Sequence, residues 1–99
     1  MTARLLPIVE HLRDAPTHRE RAEWLCTVPE GVIQRDLLKI RELLKRDGFE
    51  AGDAYLSALV AKINARRLKD GSYPLTILMV VEHTRLQMMH AARGKGTGR

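Results

Sequence analysis

Cys26 and the four histidines His11, His18, His83 and His90 are the side chains in this sequence suited to nucleophilic catalysis or metal binding. A thiolate paired with an imidazole attacks acyl and phosphoryl groups, but Cys26 lies between Leu25 and Thr27 in a short helical stretch, where a small core residue is expected. His83 and His90 share one stripe of a helix two turns apart, roughly 10 Å along its axis, which is too far for a single zinc ion. No carboxylate or second thiol stands at ligand spacing from either. The sequence also lacks a glycine loop that would cradle phosphate, a nucleophile elbow and a paired-carboxylate motif. The expectation is a protein that is not an enzyme and uses no cofactor and no metal.

The remaining chemistry is that of binding. Within residues 32–46, Leu38 falls outside the apolar arc of its own helix, flanked on the wheel by Gln34, Arg41 and Lys45. With Arg35, Arg41, Lys45 and Arg46 around it, Leu38 could anchor a contact with an acidic patch on another protein. The same face also describes an ordinary solvated helix carrying one exposed leucine. Alternatively, residues 18–26 and 32–46 outline a helix-turn-helix in which Gln34, Arg35 and Lys39 would reach base edges. Asp36 and Glu30 would then face phosphates, which counts against DNA. Asp36 also points into the apolar arc, where it needs a free N–H or a basic neighbour. Glu82 and Arg85 stand at ion-pair spacing within the apolar part of the last segment.

These residues must be positioned by helices. Leu5, Leu6, Ile8, Val9 and Leu12 line one face of a short helix that begins near Pro7 and stops before Pro16. Thr17-His-Arg-Glu20 fits a capping box for a brief second helix through Cys26, with Trp24 as a core anchor. Thr27-Val-Pro-Glu30 fits another and would open the helix of residues 32–46. Gly48 should end that helix in a left-handed turn, with Phe49 folding back on Leu44. A fourth helix is predicted over residues 53–69, closed by Asp70-Gly71. Residues 74–90 are apolar on almost every side, with a narrow polar stripe of Thr76, His83, Gln87 and His90. A helix of that kind is either central or shared with another chain. Ser72 would cap it, and helix is favoured over strand for residues 75–81 because no second segment alternates with period two.

The expected fold is therefore all-α: a compact bundle of four to five short helices around a central apolar C-terminal helix. Residues 1–92 form a single domain and residues 93–99 a flexible, basic, Gly-rich tail. Of 17 basic residues, Arg93, Lys95 and Arg99 lie in the tail, which leaves 14 against 12 acids; most of the formal charge of +5 is thus the tail's, and the body is close to neutral. One cysteine excludes a disulfide framework, and the start Met-Thr-Ala-Arg has no long apolar region, so a cytoplasmic protein with no membrane contact is expected. The last helix, only partly covered in so small a domain, makes a homodimer a second expectation, with Val81, Arg85, Met88 and Met89 at its interface.

The segments Arg21-Ala-Glu-Trp-Leu25, Val28-Pro-Glu-Gly-Val-Ile33, Ile40-Arg-Glu-Leu-Leu44, Gly48-Phe49 and Tyr55-Leu56, roughly the middle third of the chain, resemble small, mostly uncharacterised proteins of bacteriophages and prophages. The resemblance transfers no functional residue. It implies a setting, the host cytoplasm, in which small accessory proteins bind a host protein, such as a defence complex or an appendage motor, or bind DNA as early regulators. The expected function is a non-enzymatic interaction protein that sterically blocks a host protein, with a small DNA-binding regulator as the alternative.

Overall fold

The computed structural model describes residues 5–93; the expected tail from residue 94 on, like residues 1–4, lies outside them. Five helices follow in order: α1 (Pro7–Asp14), α2 (His18–Thr27), α3 (Glu30–Arg46), α4 (Glu50–Ile63) and α5 (Leu75–Ala92). The all-α class holds, no strand occurs among the described residues, and residues 75–81 are helical.

Local chemistry explains most of the boundaries. Pro7 opens α1, where its missing N–H would have had no partner in any case. Thr17 caps α2 by accepting the Glu20 N–H at 3.2 Å. At the end of α3 the chain makes a full Schellman turn. Gly48 takes φ +68, the Phe49 N–H donates to Leu44 O at 2.9 Å and the Gly48 N–H donates to Lys45 O at 3.1 Å. Phe49 is buried, and its ring stacks on His18 of α2 with centroids 4.4 Å apart. Gly52 lies directly beneath that ring: a Cβ there would sit 2.5 Å from Phe49 Cδ2.

Three caps and ends differ from the sequence reading. Thr27 does not cap α3 but closes α2, its hydroxyl donating to Glu23 O at 3.0 Å; α3 starts from Pro29 with no side-chain cap. Helix α4 runs from Glu50 to Ile63 and not over residues 53–69. The chain leaves it because Arg67 stacks over Tyr73 at 4.3 Å, donates to Tyr73 Oη at 2.8 Å and donates to Gly71 O at 3.2 Å, holding residues 64–74 as a folded loop. Ser72 belongs to that loop, its hydroxyl donating to Asp70 Oδ1, and Pro74 precedes α5 without a side-chain cap.

The core is also centred elsewhere than expected. It is built from Val9 and Leu12 of α1, Leu25 of α2, Ile33, Ile40, Leu43 and Leu44 of α3, Phe49 at the corner, and Tyr55 and Leu56 of α4. Full burial of each such aliphatic side chain contributes about 1.5–3 kcal/mol. Helix α5 adds only Met88 as a fully buried residue and lies along α4, with α2 as its second neighbour. It flanks the core and is not wrapped by the other helices. The molecule is a slab with extents of 43 × 41 × 17 Å, and helices about 10 Å across leave room in 17 Å for one core layer. Enclosing a helix on all sides would need a further layer.

Candidate functional site

Helix α3 loses regularity at Asp36, where φ −117 and ψ 28 produce a kink. The Asp36 carboxylate is largely covered, and its nearest cation is Arg35, with Nη1 4.0 Å from Oδ2. Gln34, Arg35, Asp36, Leu37, Leu38 and Lys39 line a shallow depression at this kink. Leu38 projects from it 82% exposed, the highest value among the large apolar side chains of the described residues. Arg35 and Lys45 are exposed on the same helix.

The other two predicted cations are structural. Arg41 reaches across to α4, donating to Asp53 Oδ1 at 2.7 Å and Ser57 Oγ at 3.1 Å. Arg46 forks onto Asp47 at 2.9 and 3.0 Å and donates to Arg13 O at 2.8 Å, tying α3 to the end of α1. The interaction candidates thus reduce to Arg35, Leu38 and Lys45. Of the residues proposed to read DNA, Lys39 holds Glu42 at 2.9 Å, and Gln34 borders a cleft of about 250 Å³ between α3 and α4.

A second surface lies on α5. Of the four predicted interface residues, Met88 is fully buried and Val81 and Met89 pack against the core, so Arg85 alone keeps a surface role. The exposed apolar residues are others: Leu75 (68%), Met79 (60%), Leu86 (54%), Leu78 and Val80. At 100° per residue Leu75, Met79, Glu82 and Leu86 fall within about 60° of one another, a stripe running from the start of the helix to Leu86. Spacings of four, three and four residues were the sequence signal for this stripe, masked by apolar residues on the opposite side. At its edge Arg85 forks onto Glu82, Nε to Oε1 at 2.9 Å and Nη2 to Oε2 at 2.6 Å, which lowers the Glu82 pKa and raises that of Arg85.

The groups with catalytic potential are spread over three helices, His11 on α1, His18 and Cys26 on α2, and His83 and His90 on α5. Cys26 is exposed on α2 and not a core residue as expected. Partial burial still pushes its thiol pKa up, against a smaller opposing effect of Arg85, so no nearby cation activates it. His18 is stacked on Phe49 and accepts a hydrogen bond at Nδ1 from Arg21 Nη1 at 2.6 Å. Desolvation first, then Arg21, lowers its pKa. Arg21 in turn donates to Ala15 O at 2.9 Å, and its Nε lies 3.1 Å from Asp47 Oδ2 in an ion pair not aligned for a hydrogen bond. His83 and His90 are exposed, and among the described residues no three of His, Cys, Asp or Glu converge to hold a metal ion. No helix of the described residues is long and apolar enough to cross a membrane.

The chain matches no family model, no curated protein and no solved structure. What the two surfaces do has to be argued from their own geometry.

Proposed function

We propose that the protein is a non-enzymatic interaction module that acts by covering a surface of another protein. The observation that carries this is Leu38, held in water beside a kinked turn with Arg35 and Lys45 near it on α3. An apolar anchor inside a basic rim fits an acidic patch with a small apolar pocket: the anchor supplies affinity on desolvation, and the rim steers encounter. Arg41 and Lys39 are engaged with Asp53 and Glu42, which weighs toward a protein surface and away from a duplex reader that would need their charge for phosphates. The resemblance to phage proteins suggests a host protein as the partner and steric blockage as the mechanism.

The test is affinity capture from a bacterial lysate with the wild-type chain, Leu38→Asp and the double variant Arg35→Glu/Lys45→Glu. A partner held by the wild type and weakened at least about tenfold by Leu38→Asp is expected, with the charge variant mainly slowing association. Tight binding to random duplex DNA that falls steeply with salt, survives tail deletion and is lost in Arg35→Ala/Lys39→Ala would replace this function with that of a DNA-binding regulator.

A further inference from the structure

We infer that the outer stripe of α5 is a self-association surface that receives α5 of a second copy of this chain, running antiparallel. The stripe is apolar through Leu75, Met79 and Leu86, with Leu78 at its edge, and between Leu75 and Leu86 its one charged feature is the Glu82–Arg85 pair. That pair sits at a special place. Helix α5 spans Leu75–Ala92, so its midpoint falls between His83 and Thr84, and Glu82 and Arg85 are equally far from it on either side.

Rotation about a two-fold axis through that midpoint reverses the second helix and keeps each flank of the stripe on its own side. Glu82 of one copy then comes level with the partner's Arg85, and Arg85 with the partner's Glu82. The two internal pairs merge into a neutral four-charge ring on the axis. The same operation places Met79 within about 3 Å of axial rise of the partner's Leu86. Apolar side chains thus meet apolar ones and each charge meets its opposite. A parallel, in-register pair would set Glu82 against Glu82, which is repulsive, and put each Arg85 on the opposite flank from its counterpart and from the partner's Glu82. The stripe is self-complementary in one direction only, and this is what selects a second copy as its occupant. The surface is separate from the Leu38 face of α3, so the two can be tested independently.

Helix α5 is about 27 Å long, and contact along one such strip is at the small end of specific interfaces, so a micromolar dissociation constant is expected. Sedimentation of the full chain should show a mass rising with concentration from the 11.2 kDa monomer toward twice that value. Glu82→Arg faces Arg85 of both copies and is expected to raise the dissociation constant at least about tenfold, and Leu86→Glu to do the same by charging the apolar part. The swap Glu82→Arg/Arg85→Glu restores opposite charges within and between copies and should return dimerisation to near the wild-type level. Far-UV circular dichroism checks that each variant remains helical, and Leu38→Asp should leave the equilibrium unchanged. In a Cys26→Ser background, Leu75→Cys should not cross-link to its own counterpart, because an antiparallel pair holds the two positions about 25 Å apart.

A wild-type chain that stays monomeric to millimolar concentration overturns the inference and leaves the stripe to a different partner. Three other results overturn it as well: unchanged dimerisation in folded Glu82→Arg or Leu86→Glu, no recovery in the swap, and rapid cross-linking in Leu75→Cys.

Discussion

The corner between α3 and α4 and the helix α5 differ in how many independent constraints fix them. At the corner, a left-handed glycine, two Schellman hydrogen bonds, a buried phenylalanine stacked on an imidazole, and a helical glycine with no room for a side chain all specify one geometry. Helix α5 follows the loop of residues 64–74 and inserts one fully buried side chain, Met88. Helix α5 is more apolar than α3, but the apolar residues of the two follow different periodicities. In α3 the apolar residues other than Leu38 fall on one arc, so one orientation buries them; in α5 they surround the axis, and the neighbours α4 and α2 decide which side is covered. Local and tertiary preferences reinforce each other at the corner, and only tertiary packing acts on α5.

The comparison is sharpest as a pair of truncations. Leu44→Ala should cost about 2–5 kcal/mol, since it empties a fully buried site, while Leu86→Ala in dilute monomer should change stability by less than about 0.5 kcal/mol. Urea titrations of both variants measure the difference, and equal losses would mean that α5 is enclosed after all. Next in size is a pair of glycine substitutions. Gly52→Ala forces a methyl group against Phe49 and Leu25 Cδ1, and overpacking of about 1–3 kcal/mol should exceed the gain in helix propensity. Gly31→Ala meets nothing within 4 Å and should stabilise α3 by up to about 1 kcal/mol. A melting temperature that falls in the first and rises in the second is the expected result.

The smallest effect is that of pH on the corner. The His18 pKa is lowered in the folded chain, so the unfolded chain takes up a proton first as acid is added. Stability is therefore full above the ordinary histidine value of 6.5 and declines as pH falls below it, until the folded imidazole also titrates. Protonation would place a second cation against Arg21, with Asp47 offsetting only part of that repulsion. His18→Gln should flatten this part of the stability–pH curve, and an unchanged slope would remove His18 as its source.

Much of this was legible in the sequence where a residue's own chemistry decides the outcome. Thr17 as a cap, Gly48 and Phe49 as a helix ending, and the buried arc of residues 33–44 follow from local rules. The end of α4 did not, because residues 65–69 are good helix formers and only the stacking of Arg67 on Tyr73 takes them out of the helix. Thr27 satisfied the pattern of a cap and of a helix end equally well. Asp36 was marked as out of place, but the kink that accommodates it was not foreseeable. For the candidate surfaces, the exposure of Leu38 could be read from its wheel position. The ion pair that occupies Arg41 could not, since its partner Asp53 lies in another helix, and neither could the hydrogen bond from Arg46 to the Arg13 carbonyl of α1; the Arg46–Asp47 pair joins neighbours in the sequence. The outward side of α5 became visible only once α4 had claimed the inward side.

A body 17 Å thick keeps every part of its interior within about one side chain of water. Such an architecture anchors its chain at a small set of buried positions and leaves both broad faces open to substitution. Substitutions can therefore accumulate across those faces, while the thin layer between them continues to specify the same shape.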